Sequence, residues 1–382
     1  MLDITQFEQQ ILAPYAQFSV RTRGRRFPEV EHPWRGAFMR DRDRVIHSSA
    51  FRRLEFKTQV FVAFEGDYYR NRLTHTIEVA QISRTIARGL GLNEDLAEAI
   101  ALSHDLGHPP FGHTGEHVLH DLMAGHGGFE HNRQSLRIVE QLETRYPGFP
   151  GLNLSFEVRE GIAKHKTTYD SPGDSLLECD PGQPTLEAQL VNVADEITYS
   201  SHDVDDGLQS CILTEDHLRE STLCREILDA MDHDGRLGGN RTMRHYQLIR
   251  NLIDRQVNDV LQQTRANLLD GCIDTADAVR SAPDLLVAFS PQMAAAAAGL
   301  RDLLMKRFYR HHRVVSMSSK ATRILTALFD AFLGNIDLAP EQSRERSGEV
   351  SHRRVICDYI AGMTDRYAMA EYRRLFESDE QM

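Results

Sequence analysis

Residues 104–116 read HDLGHPPFGHTGE. The helix that leads into this segment is expected to begin after Asn93, a good helix-capping residue, and to end near Gly107. It cannot continue further, because Pro109 lacks a backbone N–H and disfavours helical geometry at the residue before it. A loop rich in histidine and glycine is predicted from there to about Gly128. The first two residues of the segment therefore lie at the end of a helix.

Helical periodicity dominates the rest of the chain, and the alternation that marks β-strands is scarce. Apolar residues three and four apart predict helices at residues 74–90, 129–144, 155–165, 187–207, 215–232, 240–269, 293–308, 318–333 and 350–376. Residues 167–184 are predicted to form a loop, because they contain two Pro-Gly pairs and several acidic residues. The predicted fold class is all-α, a helical core with additional C-terminal helices.

The composition favours a protein that works in a reducing compartment. The chain has 382 residues, 41% of them hydrophobic, which is enough to bury a sizeable core. A cytoplasmic location without membrane attachment is expected, because no signal peptide and no apolar stretch of membrane-spanning length is visible. The odd number and wide spacing of the cysteines argue against a disulfide framework and a zinc-thiolate site. These cysteines are Cys179, Cys211, Cys224, Cys272 and Cys357.

The formal charge of −12 argues against broad, nonspecific binding of nucleic acids, which requires a basic surface. Residues 1–72 nevertheless carry 13 Lys and Arg against 9 Asp and Glu. Their basic side chains form clusters at residues 21–26, 40–44 and 52–57. One interpretation is a solvated surface on which neighbouring acids pair with the arginines. The other is a wall that binds phosphate groups.

Three predicted helices each place an ionisable side chain on an apolar face. His75 lies on the same face as the apolar residues that follow it, and His104 and Asp195 are placed similarly on their own helices. A single buried histidine is commonly a core residue, but a buried carboxylate is costly unless it is paired or bound to a metal. We therefore predict one divalent metal ion per subunit, either Mg²⁺ or Mn²⁺, with Fe²⁺, Ni²⁺ and Zn²⁺ as alternatives. The predicted ligands are His75, His104, Asp105 and Asp195.

The order of these ligands, a histidine, a His-Asp pair and a later aspartate, resembles that of the HD phosphohydrolase superfamily. A narrower resemblance rests on HDLGHPPFGHTGE together with FEHNR at residues 129–133. Both motifs are similar to those of the deoxynucleoside triphosphate triphosphohydrolases, which include bacterial deoxyguanosinetriphosphate triphosphohydrolase-like proteins. The similarity runs from about Arg40 to Asp203. It implies that water attacks the α-phosphorus and that the products are a deoxynucleoside and inorganic tripolyphosphate.

The resemblance also implies catalytic roles for three residues. His113 and Glu116 match the end of the longer motif, and His131 matches a later histidine of the family. His113, oriented by Glu116, is expected to transfer the proton, while His131 supports it or protonates the leaving oxygen. Most of the other histidines of this region are expected to be loop or surface residues, and a role beside the phosphates is the alternative for His117. These other histidines are His108, His117, His120 and His126.

Three residues are predicted to bind the sugar of the substrate. By resemblance, Gln59 lies near the 3′-hydroxyl, Asp203 binds that hydroxyl, and Tyr199 packs under the deoxyribose, where a 2′-hydroxyl would clash. Tyr199 and Asp203 follow Asp195 by four and eight residues, so the three side chains share one helical face. The alternative for Tyr199 is a residue at the edge of the core.

Three basic residues are predicted to bind the phosphates. Arg72 precedes His75 by three residues, which places it near the metal, and Lys164 and Lys166 are candidate clamps for the triphosphate. Glu196 occupies a position where some relatives carry a basic residue, so the phosphate contacts of those relatives are not carried over to this position.

We expect three parts in the chain. Residues 1–60 form a basic arm that contributes to the active site, residues 61–211 form the metal-dependent phosphohydrolase core, and residues 212–382 form helices packed on that core. The resemblance implies a homo-oligomer, expected to be a hexamer. It also implies a regulatory nucleotide, for which the cationic residues 40–57 are candidates.

Two alternative functions remain open at this point. The first is another HD phosphohydrolase, either a nucleotidase or a hydrolase of cyclic or alarmone nucleotides. The second is a protein that binds nucleotides or single-stranded nucleic acid and hydrolyses nucleotides incidentally. The basic clusters lie near aromatic residues such as Trp34 and Phe38, and such binding combines basic side chains that contact phosphates with aromatic rings on which bases stack.

Overall fold

The computed structural model describes residues 4–32, 34–59, 69–166, 182–234, 240–341 and 351–377. Within these ranges the protein is helical, and β-structure is limited to three isolated bridges. The all-α prediction is confirmed. Among the described residues, no helix combines the length and the apolar character that crossing a membrane requires.

The α-helices are, in chain order, α1 (Ile4–Ile11), α2 (Ala37–Ile46), α3 (Ser49–Arg53), α4 (Arg72–Leu90), α5 (Glu94–Ser103), α6 (Gly112–Leu122), α7 (His131–Arg137), α8 (Phe156–Ala163), α9 (Leu186–Gln209), α10 (Glu215–Leu218), α11 (Thr222–Asp234), α12 (Arg241–Asp270), α13 (Ala276–Ser281), α14 (Pro291–Leu304), α15 (His312–Gly334), α16 (His352–Ala361) and α17 (Asp365–Phe376). Short 3₁₀ turns occupy Ser19–Arg21, Leu54–Phe56, His104–Gly107 and Ile336–Leu338, and π-helical turns occupy Ile138–Leu142 and Met305–Tyr309.

The chain divides into two compact units. The first unit consists of Met1–Asp43, Ile77–Leu102 and Leu154–His312. The second unit consists of Arg44–Thr76, Ser103–Asn153 and Arg313–Met382. Each unit is assembled from segments far apart in sequence, and the proposed boundaries at residues 60 and 211 stay predictions.

In the first unit, α9 is the central helix. Residues on every side of it are buried, including Leu190, Val191 and Ile197, and it packs against α8, α12 and α14. Thr185 begins the helix, because its hydroxyl accepts a hydrogen bond from the Ala188 N–H. The polar side chains on such a helix must find their partners inside the protein.

The second unit is built on an apolar core that α6, α15 and α16 share. Leu119 of α6, Leu325 and Phe329 of α15, and Ile360 of α16 are completely buried there. Burial of such side chains contributes roughly 1.5–3 kcal/mol each. The core therefore anchors α6 firmly.

The 3₁₀ turn that follows α5 is fixed against α7. Ser135 of α7 accepts a hydrogen bond from the Gly107 N–H (2.8 Å) and donates one to the His104 carbonyl oxygen (2.9 Å). A Cβ atom on Gly107 would lie only 2.1 Å from the His131 carbonyl oxygen, so this position requires glycine. The His-Asp pair at the start of the turn thus lies on a well-supported element.

The loop predicted up to Gly128 contains α6, so that prediction was wrong over Gly112–Leu122. Phe111 and Gly112 both adopt left-handed backbone conformations, with φ of 65° and 58°, directly after the two prolines. The helix starts at once after this reversal, and Val118 is buried on its inner face. The high histidine and glycine content of the segment concealed the helix.

Several predicted helices are shorter than expected. Residues 215–232 form α10 and α11 with a turn between them, and residues 350–376 form α16 and α17, separated near Gly362. Residues 129–144 form α7 and a π-helical turn. Most of the predicted loop at 167–184, and residue 350, lie outside the described residues.

Candidate metal and catalytic centre

Three of the four predicted metal ligands lie together in the second unit. His75 belongs to the first turns of α4, while His104 and Asp105 open the 3₁₀ turn after α5. All three side chains are buried, and each offers a ligand atom within 4.8 Å of the others. Two imidazoles and one carboxylate in this arrangement fit a divalent cation.

Arg72 pairs with the carboxylate of this cluster. Its Nη1 lies 2.9 Å from Asp105 Oδ2, and both side chains are almost completely buried. Burial raises the pKa of Asp105, but the Arg72 guanidinium, with His104 and His108, outweighs burial and holds that pKa well below its usual range. Asp105 is therefore a carboxylate at neutral pH, the state in which a carboxylate binds a metal.

Arg72 also has side-chain nitrogens other than the Nη1 atom that contacts Asp105. Its Nε and Nη2 atoms are buried and have no hydrogen-bond partner among the described residues. A buried guanidinium with N–H groups in this state can donate hydrogen bonds to an anionic oxygen of a ligand. The predicted contact with substrate phosphate is compatible with this geometry.

Glu116 bridges two of the predicted catalytic histidines. Its Oε1 accepts a hydrogen bond from the His131 N–H at 2.8 Å and lies 2.9 Å from His131 Nδ1. Its Oε2 lies 3.7 Å from His113 Nδ1. Burial raises the pKa of Glu116, but the neighbouring His131 and His113 side chains outweigh burial and hold that pKa well below its usual range. Glu116 was expected to pair with His113, and it lies closer to His131.

His108 was expected to be a loop or surface residue, and that prediction was wrong. It is buried, its Nδ1 lies 2.9 Å from Asp105 Oδ1, and its ring stacks on that of His131 at 4.0 Å between centroids. Burial, followed by repulsion from Arg72 and His131, lowers the pKa of His108 to about 3, so its imidazole is neutral. The signal in the sequence was its position three residues after Asp105. The other three histidines of this group, His117, His120 and His126, are exposed as expected.

Gln59 lies beside the start of α4. Thr58 forms an isolated bridge with Asn71, and the Arg72 N–H donates to the Lys57 carbonyl oxygen. The Gln59 side chain is buried, and its Oε1 has no hydrogen-bond partner among the described residues. A buried amide oxygen in this state can accept a hydroxyl donor from a ligand.

Asp195, the fourth predicted ligand, belongs to the first unit. It lies on α9, where its Oδ2 is 3.5 Å from His165 Nε2, and both side chains are buried. His165 was not among the predicted site residues, although it follows Lys164 directly in the sequence. The assignment of Asp195 as a metal ligand stays a prediction.

The remaining predicted substrate residues also belong to the first unit and already have protein partners. Lys164 Nζ donates to Glu160 at 2.9 Å and to the Gly182 carbonyl oxygen at 2.7 Å. Tyr199 is half-buried on α9, and Asp203 accepts a hydrogen bond from the Tyr309 hydroxyl. Burial raises the pKa of Asp203 well above its usual range, against the effect of the Tyr309 hydrogen bond.

Several N-terminal arginines form ion pairs and hydrogen bonds within the protein. Arg25 pairs with the buried Asp41, Arg42 lies 2.9 Å from Asp95, and Arg44 donates to the Leu152 carbonyl oxygen. These contacts favour the interpretation of a structural basic segment over that of a phosphate-binding wall. A guanidinium that is held in this way is less available to a ligand.

Lys57 gives the protein a pH-dependent stability. It is buried, and its Nζ donates to the carbonyl oxygens of His108 and Ala361. Burial, followed by repulsion from Arg53 and Arg72, lowers the pKa of Lys57 to about 7 from an ordinary 10.5. Between these values the unfolded chain holds a proton that the folded chain has released, so stability rises with pH.

We predict that this rise is lost in Lys57→Met. Between pH 7 and pH 9, the free energy of unfolding of the wild type should increase relative to the variant, by at most about 1.4 kcal/mol per pH unit. Urea denaturation of both proteins at several pH values measures this difference in the free energy of unfolding. The contributions of the other titrating groups are the same in both proteins and cancel. Parallel pH profiles would show that Lys57 stays protonated in the folded protein.

Two family matches cover much of the chain. The HD domain matches residues 72–200, which include all four predicted metal ligands, and the Phosphohydrolase-associated domain matches residues 287–374. The fold and the His-His-Asp cluster therefore define a hydrolase of the HD phosphohydrolase class with a metal-binding site.

The relatives narrow this class. The chain is 51% identical over 376 residues to a deoxyguanosinetriphosphate triphosphohydrolase-like protein of Geobacter sulfurreducens. The aligned region covers 98% of this chain and 97% of the relative. Proteins of the same description from Thiobacillus denitrificans and Bordetella pertussis are 50% and 49% identical, each covering 96% of this chain and 98% and 96% of the relative, respectively. The chain belongs to the family of deoxyguanosinetriphosphate triphosphohydrolase-like proteins.

Proposed function

We propose that the protein hydrolyses deoxynucleoside triphosphates to a deoxynucleoside and inorganic tripolyphosphate. The observation that carries the proposal is a continuous series of contacts within the second unit. Asp105 contacts His108, His108 stacks on His131, and Glu116 holds both His131 and His113. A metal-binding cluster and a set of proton-transfer groups are thus connected, as hydrolysis at phosphorus requires.

The overall reaction consumes one water. The water oxygen forms a bond to the α-phosphorus, the bond from that phosphorus to the 5′-oxygen breaks, and the 5′-oxygen receives a proton. A divalent cation held by His75, His104 and Asp105, with Asp195 as the proposed fourth ligand, would activate water and neutralise charge.

The protein's own groups supply the proton transfers. Glu116 fixes the orientation of the His131 ring through its contact with Nδ1. His113 is positioned by the second oxygen of the same carboxylate. We assign His113 and His131 to proton transfer, one at the attacking water and one at the leaving 5′-oxygen.

Substrate binding divides between phosphate and sugar contacts. The Arg72 N–H groups that lack a partner in the described part of the chain suit a phosphate oxygen, and the buried Gln59 amide suits the 3′-hydroxyl. Tyr199 and Asp203 are proposed to recognise the deoxyribose, and Lys164 to contact the triphosphate. The names of the relatives support a guanine deoxynucleotide as one substrate.

The products identify the reaction. We expect metal-replete protein, incubated with each dNTP and NTP singly and in mixtures with Mg²⁺ or Mn²⁺, to release deoxynucleoside and tripolyphosphate, resolved by anion exchange. Ribonucleotides should react much more slowly, because a 2′-hydroxyl would clash with Tyr199. His104→Ala should form no product, whereas His126→Ala, which changes an exposed histidine, should match the wild type.

Other products point to the alternatives. Monophosphate or pyrophosphate would indicate another nucleotide hydrolase of the HD class. The absence of any product from every single nucleotide and mixture would overturn the proposed activity.

A further inference from the structure

A buried aspartate near the C-terminus contacts both sides of the candidate active site in the second unit. Asp365, the first residue of α17, is 1% exposed. Its Oδ1 accepts a hydrogen bond from the Phe111 N–H at 2.9 Å. Its Oδ2 accepts from the Thr58 N–H at 2.8 Å and from the Thr58 hydroxyl. One carboxylate therefore joins three distant parts of the chain.

The first contact holds the turn that starts α6. Phe111 has φ 65°, a left-handed conformation that costs free energy for any residue with a Cβ atom, and it caps α6 without a side-chain hydrogen bond. His113 and Glu116 lie in the first turns of the helix that follows. A backbone strained at this point keeps its geometry only if its surroundings hold it.

The second contact holds the segment that carries Gln59. Thr58 precedes Gln59 and bridges to Asn71, directly before Arg72. A Cβ atom on Gly112 would lie 3.3 Å from Arg72 Nη2 and 3.4 Å from the Gln59 carbonyl oxygen, so the α6 turn rests against this segment. A shift of the turn would change its distance to the Arg72 guanidinium.

Lys57 adds a parallel connection. Its Nζ donates to the carbonyl oxygen of His108, just before the turn, and to that of Ala361, at the end of α16. The junction between α16 and α17 is thus tied twice to the same two segments. Asp365 is the residue of this junction whose carboxylate binds the strained turn at Phe111.

We infer that Asp365 is a positioning residue, which sets the α6 turn with His113 and Glu116 at the correct distance from Arg72 and Gln59. Asp365 acts on these four side chains through the backbone of Phe111 and Thr58. Its effect on catalysis rests on the proposed function, but its effect on the turn does not.

The test compares Asp365→Asn with a matched control, Asp358→Asn. The asparagine keeps the size of Asp365 but replaces one acceptor oxygen with a donor NH₂ group, so one of the two backbone contacts is lost. Asp358, on α16 of the same unit, is nearly buried and pairs with Arg137, but it has no contact with the α6 turn. Both variants thus lose a carboxylate charge that has a hydrogen-bonded partner.

We expect kcat of Asp365→Asn to fall about 10²-fold, because misplacing a catalytic group by about 1 Å has an effect of this size. KM should change much less, and the bound metal should stay at one ion per subunit. Hydrogen exchange, followed by mass spectrometry, should be about tenfold or more faster in residues 111–116. Asp358→Asn should show none of these changes.

The exchange measurement separates this inference from the proposed function. If the wild type hydrolyses no dNTP, the proposed function fails, and faster exchange confined to residues 111–116 in Asp365→Asn still supports the positioning role. Wild-type exchange and wild-type kcat in folded Asp365→Asn would overturn it, as would an equal loss in Asp358→Asn. If Asp365→Asn does not fold, Asp365→Glu, which keeps the charge and displaces the oxygens, undergoes the same comparison.

Discussion

Replacing Asp105 with alanine is expected to abolish metal binding and to lower kcat/KM for the preferred dNTP by about 10⁴-fold or more. The carboxylate lies within 4.8 Å of the ligand atoms of His75 and His104, and the charge of Arg72 keeps it ionised. No other carboxylate of the second unit is within reach of both histidines in the described part of the chain. Steady-state kinetics and metal analysis by mass spectrometry measure the two effects.

The same substitution also removes the partner of a buried guanidinium. An unpaired Arg72 should lower the free energy of unfolding by about 3–5 kcal/mol, which by itself could reduce the amount of folded enzyme. The double variant Arg72→Met/Asp105→Ala removes both charges and should recover much of this stability without recovering activity. Asp358→Ala, which also strips a salt bridge from an arginine, should keep near wild-type kinetics. Activity in a metal-free Asp105→Ala would contradict the assigned site.

Glu116→Gln is expected to lower kcat by about 10²–10⁴-fold while the metal stays bound, since general acid–base groups contribute on this scale. The glutamine keeps the shape of the side chain but loses the charge that orients His131 and His113. Because the pKa of Glu116 is lowered, its carboxylate stabilises the folded protein above about pH 4.5, and this contribution is lost as the pH falls further. The stability difference between wild type and Glu116→Gln should therefore shrink below that pH.

Glu143→Gln is the control for this comparison. Glu143 is a buried carboxylate of the same unit and accepts a hydrogen bond from the Ala50 N–H at 2.7 Å. Its replacement tests the loss of a buried charge without contact to the catalytic histidines. Equal losses of kcat in the two variants, or a wild-type kcat in Glu116→Gln, would contradict a catalytic role for Glu116.

Helix α4 and the position of the His-Asp pair were predictable because their signals are local. The apolar periodicity after His75 predicted α4 to within two residues of its start, and the two prolines after Gly107 placed His104 and Asp105 at a helix end. Hydrogen bonds within a helix join residues only four apart, so a short window of sequence contains the information. The order of the ligands along the chain also required no three-dimensional knowledge.

Other features depend on contacts between residues far apart in sequence. Glu116 meets His131 across 15 residues, and Asp365 meets Phe111 across 254. The start of α6 is set by left-handed backbone geometry that tertiary contacts hold in place against the local preference of phenylalanine. The sequence by itself determined the helical class, the candidate ligands and the type of chemistry. Only the tertiary structure decided which partner each carboxylate takes, because burial and charge at a site are properties of the packed chain.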